Sequence, residues 1–120
     1  MTWKIKLSSD ARRDIERALD WTLTNFGQRK REQYLELIRQ ALEDIAANPA
    51  GSRSRTRPEL HPNARVYHIG QRGKRARHMF VYINSANEVV EVARLLHDSM
   101  DISRHLPEGY HSLDPPTDTG

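Results

Sequence analysis

The sequence predicts an α+β domain: an N-terminal strand, an antiparallel helical hairpin, a three-stranded antiparallel meander and a short C-terminal helix. Three observations lead there. Apolar residues alternate with period two over the first seven positions, recur at spacings of three and four between residues 11 and 45, and return as β-branched and aromatic runs after residue 64. At 120 residues the chain has the length of one ordinary domain. We therefore expect a single domain over residues 1–107 and a frayed tail over 108–120.

In Thr2 to Leu7, Trp3, Ile5 and Leu7 share one face and Lys4 and Lys6 the other, the pattern of a half-buried strand. Ser8, Ser9 and Asp10 then offer side-chain oxygens to the unpaired N–H groups of a starting helix. Positions 11, 15, 18, 22 and 26 form its apolar stripe, with Leu19 and Trp21 alongside, and Gly27 ends it. A second helix opens near Gln28 and carries Leu35, Ile38, Leu42 and Ile45, flanked by Tyr34 and Ala41, until Asn48-Pro49-Ala50-Gly51 stops it. Residues 51–63 read as an irregular loop. Strands are expected at Arg65–Ile69, His78–Asn84 and Glu88–Leu96, with turns at Gly70–Gly73 and Asn84–Asn87. Met79–Ile83 has no polar face, so that strand is expected in the centre of the sheet or covered on both sides. Asp98 or Ser99 is positioned to cap a last helix that Pro107 closes. With helices on one side only, the other face of the sheet is expected to be open to a partner.

Composition excludes several functions. Without cysteine there is no disulfide framework, thiolate nucleophile or cysteine-based metal site, which suits a reducing cytoplasm. No apolar run is long enough to span a bilayer, and the N-terminus lacks a signal-peptide core. His97-Asp98-Ser99 has the residue types of a hydrolytic triad, but consecutive residues in a strand or turn point in different directions. The six histidines show no metal-binding spacing such as H-E-x-x-H. Gly70-Gln71-Arg72-Gly73-Lys74 lacks the spacing and following Ser/Thr of a phosphate loop. We expect no cofactor, no metal and no catalytic residue.

Charge is more informative. Net charge is +3, yet residues 53–77 hold eight Arg and Lys against the single acid Glu59, a balance of +7 that leaves −4 for the rest. Such a concentration attracts an anionic partner. Arg94 shares the period-two face of Val90 and Val92, where a charge needs a partner or an open groove. Arg65 and Arg77, at the margins of the neighbouring strands, would lie near it if those strands pair. Clustered guanidinium groups grip carboxylates or phosphates through bidentate hydrogen bonds.

The order of elements and several phrases resemble the toxins of ParDE modules, within the RelE/ParE superfamily. The resemblance spans about Trp3 to Pro107. Its carriers are Leu7-Ser8-Ser9-Asp10-Ala11 with Asp14-Ile15, Leu42 through Asn48-Pro49-Ala50-Gly51, Arg65-Val66-Tyr67, Phe80-Val81-Tyr82, and Val90–His97 running into Asp98-Ser99-Met100-Asp101-Ile102 and His105-Leu106-Pro107. It implies a cytoplasmic toxin of a plasmid-stabilising type II toxin–antitoxin system, held in a hetero-oligomer by a ParD-like antitoxin. Its target would be DNA gyrase, bound without catalysis, with growth arrest as the outcome. The superfamily's other branch cleaves ribosome-bound mRNA, and His68, His78 and His97 are the candidate acid–base groups for that alternative. Ser99, Met100 and Asp101 stand where that branch carries its basic catalytic residue. A third class, a nucleic-acid-binding module without toxicity, would follow from the basic segment alone. For contacts with antitoxin or target we expect Arg65, Arg72, Arg75, Arg77, Arg94 and His97.

Overall fold

The structure, a computed structural model, describes residues 2–70 and 76–106. β1 (Lys4–Leu7) leads into α1 (Ser9–Phe26) and α2 (Gln28–Ala47), followed by β2 (Ser54–Thr56), β3 (Ala64–His68), β4 (His78–Ser85), β5 (Val89–His97) and a 3-10 turn at Ile102–His105. The sheet has five strands in the order β1-β5-β4-β3-β2. β1 runs parallel to β5, and the other pairs are antiparallel.

Local chemistry explains the element boundaries. Ser8 accepts a hydrogen bond from the Ala11 N–H at 2.9 Å and donates to the Ala93 carbonyl at 2.7 Å, so one hydroxyl caps α1 and anchors it to β5. Gly27 has φ +90° and ψ 177°, a conformation that side-chain-bearing residues avoid, and it separates the two helices in one residue. The helices fold back on each other and lie on one face of the sheet. Their core residues Ala11, Leu19, Ile38, Ala41 and Ile45 meet Tyr67, Phe80, Tyr82, Val90, Val92 and Leu95.

Three expectations need correction. Residues 51–63 contain β2, which pairs with β3 from Ser54↔Tyr67 to Thr56↔Arg65, so the meander gains a fourth strand. The other sheet face is not open: Val81, Ile83 and Leu96 are buried beneath Leu60, Ile102 and Leu106. That apolar surface is what Met79–Ile83 required. The last helix is the single turn Ile102–His105, capped by the Asp101 side chain rather than by Asp98 or Ser99. The Gly70–Gly73 turn falls largely outside the described residues, as does the 108–120 tail.

Candidate protein-binding groove

α1, α2 and the end of the sheet formed by β4 and β5 enclose a groove of about 1590 Å³. Ordinary small-molecule pockets are roughly 300–1,000 Å³, so this space suits a polypeptide segment. Trp21 and Phe26 stand in its wall, each 60% exposed, their rings edge-to-face with centroids 5.5 Å apart. Met100, also exposed, lines the groove too. The sequence pattern places Phe26 on the apolar stripe of α1 and Trp21 alongside it. They are instead a solvent-facing aromatic pair, because Ala11, Ala18, Leu19 and Thr22 already complete the buried face of α1.

The rim is cationic. Arg17, Arg29 and Lys30 line it and form no ion pair among the described residues. The groove's acids are engaged: Asp14 with Arg94, Glu36 with Arg39, and Glu32 with the Gln28 amide. Positive charge is therefore left for a ligand.

Arg94 is placed by an irregularity in the sheet. Tyr82 lies opposite Val92, but Val81 lies opposite Arg94, so β5 carries one extra residue at Ala93. The expected face reverses there: Leu95, not Arg94, continues the Val90–Val92 surface. Arg94 turns to α1 and donates to Asp14 from Nε at 2.7 Å and from Nη2 at 2.9 Å, and to the His105 carbonyl from Nη1 at 2.6 Å. The Leu95 N–H completes the carboxylate shell at 3.0 Å. Asp14 holds the guanidinium in its charged form.

A histidine cluster forms the floor near the strand ends. His78 and His97 are cross-strand partners with ring centroids 5.5 Å apart. Tyr34 of α2 hydrogen-bonds His78 Nδ1. Burial and then the nearby Asp98 charge push the Tyr34 hydroxyl pKa up, so it retains its proton. Burial, reinforced by His97, pushes His78 down and favours the neutral imidazole. Beside them, Asp98 accepts from His68 Nε2 at 2.9 Å and from Arg77 Nε at 3.1 Å; the His68 bond, with Arg77, lowers its pKa.

His97 Nδ1 lies 2.7 Å from Ser99 Oγ and accepts the Ser99 N–H at 3.2 Å; Asp98 Oδ1 is 3.6 Å from the same nitrogen. A hydrolytic relay needs serine and carboxylate on opposite ring nitrogens. The three residues do meet, but not in that arrangement. Among the described residues no cluster of His, Asp and Glu could hold a metal ion.

Of the six expected contact residues, Arg77, Arg94 and His97 line this groove. Arg65 is elsewhere: it sits opposite Tyr82 and donates to Ser54 Oγ at 2.7 Å and to the Gly51 and Ser54 carbonyls, clamping the turn before β2. The Arg65–Arg77–Arg94 cluster is therefore not formed. Arg72 and Arg75 lie outside the described residues. Sequence reasoning missed Trp21, Phe26 and Met100 as groove residues; the available signal was an α1 stripe with more large apolar side chains than one helix face can bury.

A family model described as the ParE toxin of the type II toxin–antitoxin system parDE matches residues 5–102. The chain belongs to the ParE toxin family. Toxin ParE1 of Mycobacterium tuberculosis, from strains CDC 1551/Oshkosh and ATCC 25618/H37Rv, is 30% identical over 106 residues, covering 88% of this chain and 100% of each relative. A solved chain described as the chromosomal ParDE TA system from P. aeruginosa superposes with a TM-score of 0.62 at 15% identity, covering 80% of this chain and 96% of that one. That likeness supports the fold. The groove, the aromatic pair and the histidine floor are thus features of a ParE-type toxin of a type II toxin–antitoxin module. None of its described helices is long and apolar enough to cross a membrane.

Proposed function

We propose that this toxin is neutralised by a ParD-like antitoxin whose acidic, amphipathic segment lies in the groove, and that the freed toxin inhibits DNA gyrase by binding it. The observation that carries this reading is the union of an exposed aromatic wall with a cationic rim in a groove larger than an ordinary small-molecule pocket. An amphipathic helix fits such a surface, with apolar side chains against Trp21 and Phe26 and carboxylates toward Arg17, Arg29 and Lys30. Aromatic anchors of this kind dominate binding energy.

For the target, family membership supports gyrase, and the groove chemistry supports binding without turnover. The test is supercoiling by purified gyrase with the freed toxin. Inhibition relieved by the antitoxin is expected; undisturbed supercoiling without trapped DNA cleavage overturns the gyrase reading. One observation favours a second reading, mRNA cleavage: His78 and His97 form a close imidazole pair with Arg77 nearby, the group types of metal-free phosphodiester cleavage. Codon-spaced mRNA ends after induction, lost in His97→Ala, would replace gyrase inhibition with that activity.

A further inference from the structure

The histidine floor has no part in the binding scheme so far. It lies inside the groove, on the side of the sheet that faces α2, and two of its imidazoles share the wall with Arg77. Their hydrogen bonds define their chemistry. His97 Nδ1 receives the Ser99 N–H, so the proton of its neutral ring sits on Nε2. Tyr34 keeps its hydroxyl proton and hydrogen-bonds His78 Nδ1; where Tyr34 is the donor, the proton of neutral His78 sits on Nε2 as well. The pair thus offers two N–H donors, and Arg77, 70% exposed, adds a guanidinium.

We propose that the His78–His97 pair, with Arg77 beside it, is a subsite for one carboxylate side chain of the antitoxin and makes antitoxin affinity depend on pH. The inference rests on the groove being the antitoxin site. Its logic is linkage. In the free toxin, burial and then the neighbouring His97 favour the neutral form of His78; the groups facing it are Tyr34 from α2, Asp14 from α1, His68 from β3, His97 from β5, and Asp98 just beyond it. Asp98, whose Oδ1 lies 3.6 Å from His97 Nδ1, is already shared between His68 and Arg77, and Asp14 is engaged by Arg94. A carboxylate arriving between the two rings brings an uncommitted negative charge, which favours the imidazolium form. The complex then takes up a proton that the free toxin does not hold, so binding tightens as pH falls. An acidic shift would strengthen neutralisation, and an alkaline shift would loosen it.

The test uses the intact toxin and, as probe, the separately purified polypeptide encoded by the adjacent reading frame. Calorimetric titration from about pH 8 to about pH 6 is expected to show tightening of roughly three- to tenfold, an average uptake of about a quarter to a half of a proton across those two pH units. Repetition in buffers of different ionisation enthalpy should report that proton directly. His97→Gln, at a partly exposed position, keeps a hydrogen-bonding side chain but cannot gain the charge; it should flatten the pH dependence. Trp21→Ala should weaken binding by a similar factor across the whole range and retain the slope. A pH-independent affinity in the wild-type toxin, or a slope that persists in both His97→Gln and His78→Gln, overturns the subsite and leaves the groove reading intact. Absence of binding at every pH, or binding untouched by Trp21→Ala, overturns the groove reading and the subsite with it. Binding of an RNA oligonucleotide whose affinity rises through the same histidines, with no such effect for the polypeptide, would assign the pair to phosphate instead.

Discussion

Asp14→Ala tests whether Arg94 is a structural residue or a free hand for a partner. The carboxylate has only 9% of its side chain exposed and the guanidinium 19%. Removing Asp14 strips Arg94 of two charge-assisted hydrogen bonds and the Leu95 N–H of its acceptor. Breaking a buried pair from one side typically costs about 3–5 kcal/mol. Arg94 keeps its bond to the His105 carbonyl and some solvent contact, which places the loss near the lower end, about 3 kcal/mol. For a domain of this size that corresponds to a fall of about 12 °C in Tm. Replacing both partners, Asp14→Leu with Arg94→Met, leaves no stranded charge, and should recover most of the loss. Urea unfolding followed by tryptophan fluorescence, run as a double-mutant cycle, measures the coupling. A loss below about 1 kcal/mol for Asp14→Ala, or simple additivity in the double variant, would refute the assignment.

Other perturbations have equally definite outcomes. Gly27→Ala meets no neighbouring atom within 4 Å, yet its φ of +90° should cost about 1–2 kcal/mol in urea titration, a strain effect with no packing component. Glu88, at φ 57° in the turn between β4 and β5, should gain roughly 0.5–1 kcal/mol on replacement by Gly, read as a rise in the urea midpoint. Phe80→Ala empties a fully buried site between the helices and the sheet and should cost about 3–5 kcal/mol. His78 has its pKa lowered in the folded state, so its contribution is full above the unfolded value near 6.5 and declines as pH falls toward the folded value. Stability should therefore drop on acidification below that point, with a shallower drop in His78→Gln; an identical pH profile in the variant would contradict this.

The parts of the fold legible in the sequence are those with a repeating pattern. The β1 alternation, the 11-15-18-22 stripe and the Asn48–Gly51 stop all correspond to observed elements because each rests on local chemistry. β2 was hidden because its three residues, Ser54, Arg55 and Thr56, carry no apolar alternation; Ser54 and Arg65 hold it through side-chain hydrogen bonds with a partner far along the chain. The extra residue in β5 was equally silent. One inserted position near Ala93 exchanges the faces of Arg94 and Leu95, and period-two reasoning has no signal for it. The candidate site was legible in its chemistry more than in its place. Arg77, Arg94 and His97 do reach the groove, whereas Arg65 serves the β2 turn. Trp21 and Phe26 look like core in the sequence because burial depends on how much surface the sheet offers, a tertiary property.

Neutralisation as proposed requires the groove between the helical hairpin and the β4–β5 end to be the surface that the antitoxin covers. Amide hydrogen exchange of the toxin alone and in complex with its co-encoded antitoxin measures this directly. Slowed exchange is predicted in α1 around Trp21, in the first half of α2 and in the segment from Arg94 to Met100, with β2 and the following loop unchanged. Protection confined to β2 and β3, with those groove segments exchanging as in the free toxin, would contradict it.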